Sequence, residues 1–279
     1  MQNQTSPLIL TFGVSDPVGA IGIQADLAAF SALSCHGLSV TTALLIADSA
    51  RVEATLEIEP GWVSDQARVL LEDMQIAAIK IGALGGIEHI TAIAEIVSDY
   101  PDVPLILDPF ISLLPEQGQD SGELLMALRQ LLIPQATLLM LSQVELERLA
   151  ETWRDSSDED TLQDDITHLL DLGCEYVLVT GTRGDGNARA KMCANTLFNS
   201  DGVLRHDSWQ HLAGPFIGAG STLSAAIAAL MARAIDAPAA VLAAQEYTAG
   251  TLQHAQRLGM GKLVPNHFFR LNADTLPQP

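Results

Sequence analysis

Positive charge is what this sequence has least of. Fourteen Lys and Arg residues face 34 Asp and Glu, a formal net charge of −20 over 279 residues, and the lysines are only Lys80, Lys191 and Lys262. A field of that sign repels phosphate backbones and anionic lipid headgroups, so neither nucleic acid nor a membrane surface is expected as a partner. An anionic small molecule would need a local electropositive pocket within that field. The acid excess suits an ordinary acidic cytoplasmic enzyme and equally a protein kept soluble in high salt. Cysteine is scarce too: Cys35, Cys174 and Cys193 form no close-spaced pair, which predicts free thiols in a reducing compartment. No basic segment precedes an apolar one near the N-terminus, so no signal peptide is expected. The best candidate for a membrane span, residues 212–232, is broken by Gly214, Pro215, Gly218 and Gly220 and is rejected. The seven histidines show no metal-ligand spacing, so no zinc site is expected.

What is present is apolar and regularly punctuated. Hydrophobic residues make up 48% of the chain, enough for one large domain spanning residues 1–279. Strand-like and helix-like runs alternate: PLILTFGVS then GIQADLAAFSALS, AIKIGAL then IEHITAIAEIVSDY, VPLILDP then ELLMALRQLLI, ATLLMLS then QVELERLAETW. SVTTALLIA and the short alternating ATLEIEP add two strands, and Pro60 with Ser64 and Asp65 opens the helix pattern SDQARVLLEDM. The acidic stretch 155–165 reads as a solvated loop and helix start, followed by the buried strand YVLVTGT. CANTLFNSDGVLRHDSW reads as a hairpin turning at Ser200-Asp201-Gly202, and two helices close the chain, one after Gly220 and one over 237–259. This order predicts an α/β fold with a mainly parallel central sheet and helices on both faces. Ligands then belong beyond the carboxyl ends of the strands.

Several segments at those ends could carry chemistry. Gly218-Ala219-Gly220-Ser221 leads into a helix, so unpartnered first-turn amides could cradle an anion, or the loop could be a tight helix entry with no ligand. Thr180 and Gly181, with Gly184 and Gly186 after them, follow a buried strand and suit a nucleotide phosphate or base edge, or a surface turn. Asp108, where Pro109 ends a strand, could hold Mg²⁺ through water or cap a turn. Glu145 could assist with the metal or simply favour its helix N-terminus. Asp26 sits on the apolar face of its helix, so it is either exposed or bonded to something specific, and Lys80 between apolar runs points to a buried ion pair.

Taken together, SDPVGAIGIQADLAAFSALSCHG (15–37), KIGAL (80–84), LDP (107–109), VTG (179–181), GAGSTLSAAIA (218–228) and LGMGKLVP (258–265) resemble the hydroxymethylpyrimidine/phosphomethylpyrimidine kinases of thiamin biosynthesis, within the ribokinase-like superfamily. The resemblance covers nearly the whole chain. It implies a ribokinase-like fold, ATP and Mg²⁺ as cofactors, a small pyrimidine as substrate and a homodimer. By position it implies that Asp26 contacts the aminopyrimidine, that residues 218–221 surround the transferred phosphoryl group, that Asp108 and Glu145 place Mg²⁺, and that Gly181 lies along the nucleotide.

The departures from the family pattern are equally specific. Ser221 stands where the family has a cysteine, Ile217 where it has a histidine, Val14 where it has a glycine, Ala47 where a glutamine reads the pyrimidine, and Ser142 where an asparagine begins the Asn-x-x-Glu motif. They point to a remodelled acceptor pocket and a weakened or changed base. Three readings follow: the family reaction, with or without impairment by these changes; a kinase of a pyridoxal-like ring; and a non-catalytic binding protein on the kinase fold.

Overall fold

The computed structural model describes residues 6–111, 119–154, 161–183, 192–210 and 212–271. Among these, the strands are β1 (Leu8–Ser15), β2 (His36–Ala47), β3 (Val52–Glu57), β4 (Ala78–Ile81), β5 (Leu105–Leu107), β6 (Leu138–Ser142), β7 (Tyr176–Arg183), β8 (Met192–Asn199) and β9 (Gly202–Gln210). The helices are α1 (Gly22–Ala32), α2 (Pro60–Asp73), α3 (Ile87–Ser98), α4 (Gln119–Ala127), α5 (Gln143–Ala150), α6 (Leu162–Asp171), α7 (Ala219–Ala232) and α8 (Ala237–Gln253).

The strands form one nine-stranded sheet in the order β3-β2-β1-β4-β5-β6-β7-β8-β9. The run from β2 to β7 is parallel, whereas β3 pairs antiparallel to β2 at one edge and β8 and β9 extend the other edge antiparallel. Alternation along the strands feeds two apolar layers. Leu10, Ile79, Ile81, Leu105, Leu139 and Val177 pack toward α2, α3, α5 and α6. Ile9, Ala78, Ile106, Leu138 and Leu178 pack toward α1, α7 and α8. The expected layering is therefore present, and α7, rich in alanine, lies close against α1 and α8 without bulky side chains holding it off.

Three boundaries differ from the sequence pattern. Helix α2 begins at Pro60, earlier than the SDQARVLLEDM pattern, because a proline at the first helical position loses no hydrogen bond. The run ELLMALRQLLI is not one helix: α4 gives way to a π-turn over Leu128–Leu132 and a 3₁₀ turn over Ile133–Gln135. Pro134 has no amide to continue the ladder. Helix α8 stops at Gln253, and the chain folds back as a strap in which Gln256 and Val264 exchange both backbone hydrogen bonds. The acidic residues 155–160 and the loop glycines Gly184 and Gly186 lie outside the described residues.

Candidate active site

The loop before α7 is built around Gly218. Its φ of +83° is in the left-handed region, and a Cβ there would collide with the carbonyl of Ala20, so only glycine fits. The helical ladder begins when Thr222 N–H bonds Gly218 O at 2.9 Å, leaving the amides of Ala219, Gly220 and Ser221 without intrahelical partners. No side chain caps this end. These amides and the helix dipole form a cradle that could accept an anion.

Two cavities flank that cradle. One, of about 660 Å³, lies between the β2–β3 hairpin, Phe110, Ile217 and Lys262. The other, of about 280 Å³, lies between β7, β8, β9 and α8 and includes Thr180, Gly181, Asn195 and Trp209; it reaches Ala219 and Gly220. A narrow cleft lined by Ser221, Asp108, Lys80, Val14 and Phe110 sits beside Ser221 and shares Ile21 and Phe110 with the larger cavity. So the structure brings Gly218, Ala219, Gly220, Ser221 and Asp108 to one end of the sheet, with Ala47 on one side of them and Thr180 and Gly181 on the other.

The floor of the cleft is electrostatically tight. Lys80 Nζ lies 2.8 Å from Asp26 Oδ1 and donates to Asp26 Oδ2 at 3.0 Å, while Thr11 Oγ1 donates to the same Oδ2 at 2.7 Å. All three side chains are buried. Asp26 thus lines neither flanking cavity: its Oδ2 accepts from Lys80 and Thr11, its Oδ1 lies beside Lys80 Nζ without a hydrogen bond, and it is Lys80 that reaches the cleft. In this geometry Asp26 is the buried counter-ion of Lys80.

Asp108 follows β5, and its Oδ2 accepts a 2.7 Å hydrogen bond from Ser224 Oγ on the first turns of α7. Burial pushes its carboxyl up to about 6 against the opposing pull of Lys80 and the Ser224 bond, and the charges of Glu145 and Asp26 push it the same way as burial. Glu145 Oε2 accepts from Ser142 N–H at 2.9 Å and from Ser142 Oγ at 2.8 Å, and Glu145 N–H bonds Ser142 Oγ at 3.2 Å. That is a reciprocal capping box at the start of α5. Ser142 therefore keeps Glu145 oriented where the family has an asparagine.

The remodelled positions cluster. Val14, Ile21, Ala43 and Leu45 form a small apolar group with Ala47, Ala83 and Ile217 packed against it. Val14, Ala47 and Ile217 thus replace family polar or small residues with one apolar wall. On the opposite side, Asn195 Oδ1 accepts from Gly181 N–H at 3.2 Å, and its Nδ2 donates to Gln245 Oε1 at 2.9 Å, which ties Gly181 through Asn195 to α8.

Phe110, Lys262, Arg51 and Asn195 were not singled out from the sequence. Phe110 could not have been, since its φ of +50° is visible only in the structure. Lys262 had a signal: it is one of three lysines and sits between glycines and apolar residues.

Residues 16–266 match the model of the family described as phosphomethylpyrimidine kinase. The hydroxymethylpyrimidine/phosphomethylpyrimidine kinase of Escherichia coli is 32% identical over 263 residues, covering 93% of this chain and 96% of that one. The crystal structure of a phosphomethylpyrimidine kinase from Clostridium difficile superposes with a TM-score of 0.70 at 25% identity, covering 88% of this chain and 100% of that one. An ADP complex of Bacillus subtilis pyridoxal kinase has a TM-score of 0.81 over 96% of this chain and 100% of that one; at 23% identity that likeness concerns the fold. With its ribokinase-like sheet, its anion cradle and these relatives, the chain belongs to the phosphomethylpyrimidine kinase family.

Proposed function

We propose that this protein uses ATP to phosphorylate 4-amino-5-hydroxymethyl-2-methylpyrimidine, its monophosphate, or both. The observation that carries the reading is the placement of two cavities on either side of one helix N-terminus. A phosphoryl group passed between them would lie against the amides of residues 219–221, and transfer of that group depends mainly on positioning and on neutralising charge.

In this reading the nucleotide occupies the cavity beside Thr180, Gly181 and Trp209, and the acceptor ring enters between the hairpin and Phe110. Lys80 at the cleft floor supplies positive charge beside Asp108 and Ser221. Ser221 donates a hydrogen bond to the developing oxyanion. A serine hydroxyl deprotonates poorly near neutral pH, so the acceptor loses its proton with less help than a cysteine thiolate would give. Asp108 and Glu145 fit Mg²⁺: the charge of Glu145 adds to the cost of ionising buried Asp108, a repulsion that a cation would relieve. Bound there with the nucleotide phosphates, the ion would neutralise charge on the transferring group.

The apolar wall of Val14, Ala47 and Ile217 favours a second reading, a different hydroxymethyl-bearing ring such as pyridoxal, because that wall offers no amide to read an aminopyrimidine. We also propose a homodimer formed through the outward face of the β2–β3 hairpin. Leu44 and Leu56 pair there and, with Ile46, are 43%, 65% and 63% exposed. In a chain of net charge −20 an uncharged apolar face is where two copies can meet with least repulsion. The free thiols of Cys35, Cys174 and Cys193 suit a cytoplasmic setting. Among the described residues, no helix is long and apolar enough to cross a membrane.

ADP release with Mg-ATP, measured in parallel on hydroxymethylpyrimidine, its monophosphate and pyridoxal, tests these readings. Turnover on a pyrimidine supports the first; turnover on pyridoxal alone transfers support to the second. Folded protein silent on all three defeats both and leaves the non-catalytic binding role.

A further inference from the structure

The strap after α8 joins three parts of the acceptor cavity. Its stem pairs with the approach to the anion cradle: Leu263 N–H bonds Pro215 O at 2.8 Å, and Ile217 N–H bonds Leu263 O at 3.0 Å. Its tip rests on the β2–β3 turn, where Gly261 N–H donates to Ser49 Oγ at 3.0 Å and Lys262 N–H to Ser49 O at 2.8 Å. The fit there excludes side chains. A Cβ at Gly259 would stand 2.7 Å from Ser49 Oγ, and one at Gly261 would strike the Ser49 backbone. The strap is thereby fixed in register on the hairpin, with Lys262 at the cavity wall.

The other charged groups at that wall are already engaged. Asp16 accepts backbone N–H bonds from Val18, Ala20 and Ile21. Asp48 accepts from the amides of Ala50 and Arg51, and Arg51 pairs with Glu53 at 2.8 Å. Lys262 has no side-chain hydrogen bond or ion pair among the described residues. At a wall whose other charged groups already have partners, the unpaired ammonium of Lys262 is the local positive site that an anionic acceptor requires in a chain this acidic.

We propose that Lys262 is a specificity-determining residue that favours the phosphorylated acceptor over the free alcohol, and that Ser49, with Gly259 and Gly261, positions it. The inference rests on the kinase reading of the same cavity and adds which acceptor form the cavity prefers. A lysine ammonium on a phosphate oxygen makes a charge-assisted hydrogen bond that the alcohol cannot make.

The test compares wild type, Lys262→Met, Lys262→Arg and Ser49→Ala by kcat/KM on the monophosphate, kcat/KM on the alcohol and KM for ATP. Lys262→Met is expected to lower kcat/KM on the monophosphate by about tenfold, the size of a charged hydrogen bond, with the alcohol and ATP values unchanged. Lys262→Arg should restore most of the preference, and Ser49→Ala should lower it in the same direction through misplacement of the strap. Equal losses on both acceptors, or a raised KM for ATP, would overturn the proposal, the latter by assigning Lys262 to the nucleotide. Titration calorimetry with the monophosphate and the alcohol reads the same preference without turnover. Selective weakening of monophosphate binding in Lys262→Met would uphold the proposal even in a protein that transfers no phosphate, and no measurable preference in wild type would refute it.

Discussion

Replacing Asp108 by Asn should make the protein more stable and less active, with the gain in stability growing as pH rises from about 4 to about 6. In the folded chain burial raises this carboxyl from 3.8 to about 6. Between those values the native state holds the proton more tightly than the unfolded chain does. Stability therefore falls as pH rises through the window and stays lower above it. A shift of roughly 2 units corresponds to about 3 kcal/mol of native-state cost at pH 7.5. The amide of Asn can still accept from Ser224 Oγ, though less strongly than a carboxylate, so the net gain expected is about 1–3 kcal/mol. Urea denaturation of wild type and Asp108→Asn at pH 4 and pH 7.5, without divalent cation, measures it. The two should nearly coincide at pH 4 and separate at pH 7.5, and added Mg-ATP should stabilise wild type more than the variant. A variant no more stable than wild type at pH 7.5, or a gap that does not close in acid, would refute the reasoning about Asp108.

Other expected outcomes follow from the same geometry. Ser221→Cys should raise turnover, by at most the roughly 10²–10⁴-fold that general-base catalysis contributes, with nucleotide KM similar; steady-state kinetics showing unchanged or lower turnover would remove Ser221 from the proton-transfer step. Lys80→Met leaves Asp26 buried without its counter-ion and should cost about 3–5 kcal/mol in chemical denaturation, whereas the double change Lys80→Met with Asp26→Leu should recover much of it. Leu56→Glu should convert the proposed dimer to monomer in sedimentation velocity, and a wild type already monomeric at micromolar concentration would dismiss that interface.

The sheet was legible because its strands are short apolar runs between helical patterns, and period alone separates the two. Boundaries set by backbone bonding to distant segments were not. The last helix reads as continuous to 259, yet it ends at Gln253 because the following residues bond Ser49 and Pro215, partners more than 35 residues away in sequence. The anion cradle was legible because glycines before an apolar helix have a local meaning. The partner of Asp26 was half legible: a lone lysine in a strand and a lone aspartate on an apolar helix face each demanded a partner, but only the fold shows that they meet. Phe110 depends on which strand ends converge, and no local pattern specifies that; the scarcity of lysine marks Lys262 but not the cavity it borders.

Of the five departures from the family pattern, Val14, Ala47 and Ile217 gather in one apolar wall, Ser221 stands at the helix N-terminus and Ser142 caps Glu145. Whether the protein catalyses turns on the residues that are kept. Gly218 alone proves little, since the clash with Ala20 would enforce glycine in any protein of this shape. Lys80 and Asp26 prove little either, because each is needed to satisfy the other. Asp108 is different. Its charge is disfavoured by burial and by two neighbouring carboxylates, its bond from Ser224 could be kept by an asparagine, and its retention costs stability at neutral pH. A cation held with Glu145 would return that cost, and a phosphoryl donor brings such a cation with it. A scaffold that merely bound a ring on the acceptor side would gain nothing from a carboxylate there. The acidic group under the cradle therefore argues for phosphoryl transfer with an altered acceptor pocket over loss of catalysis.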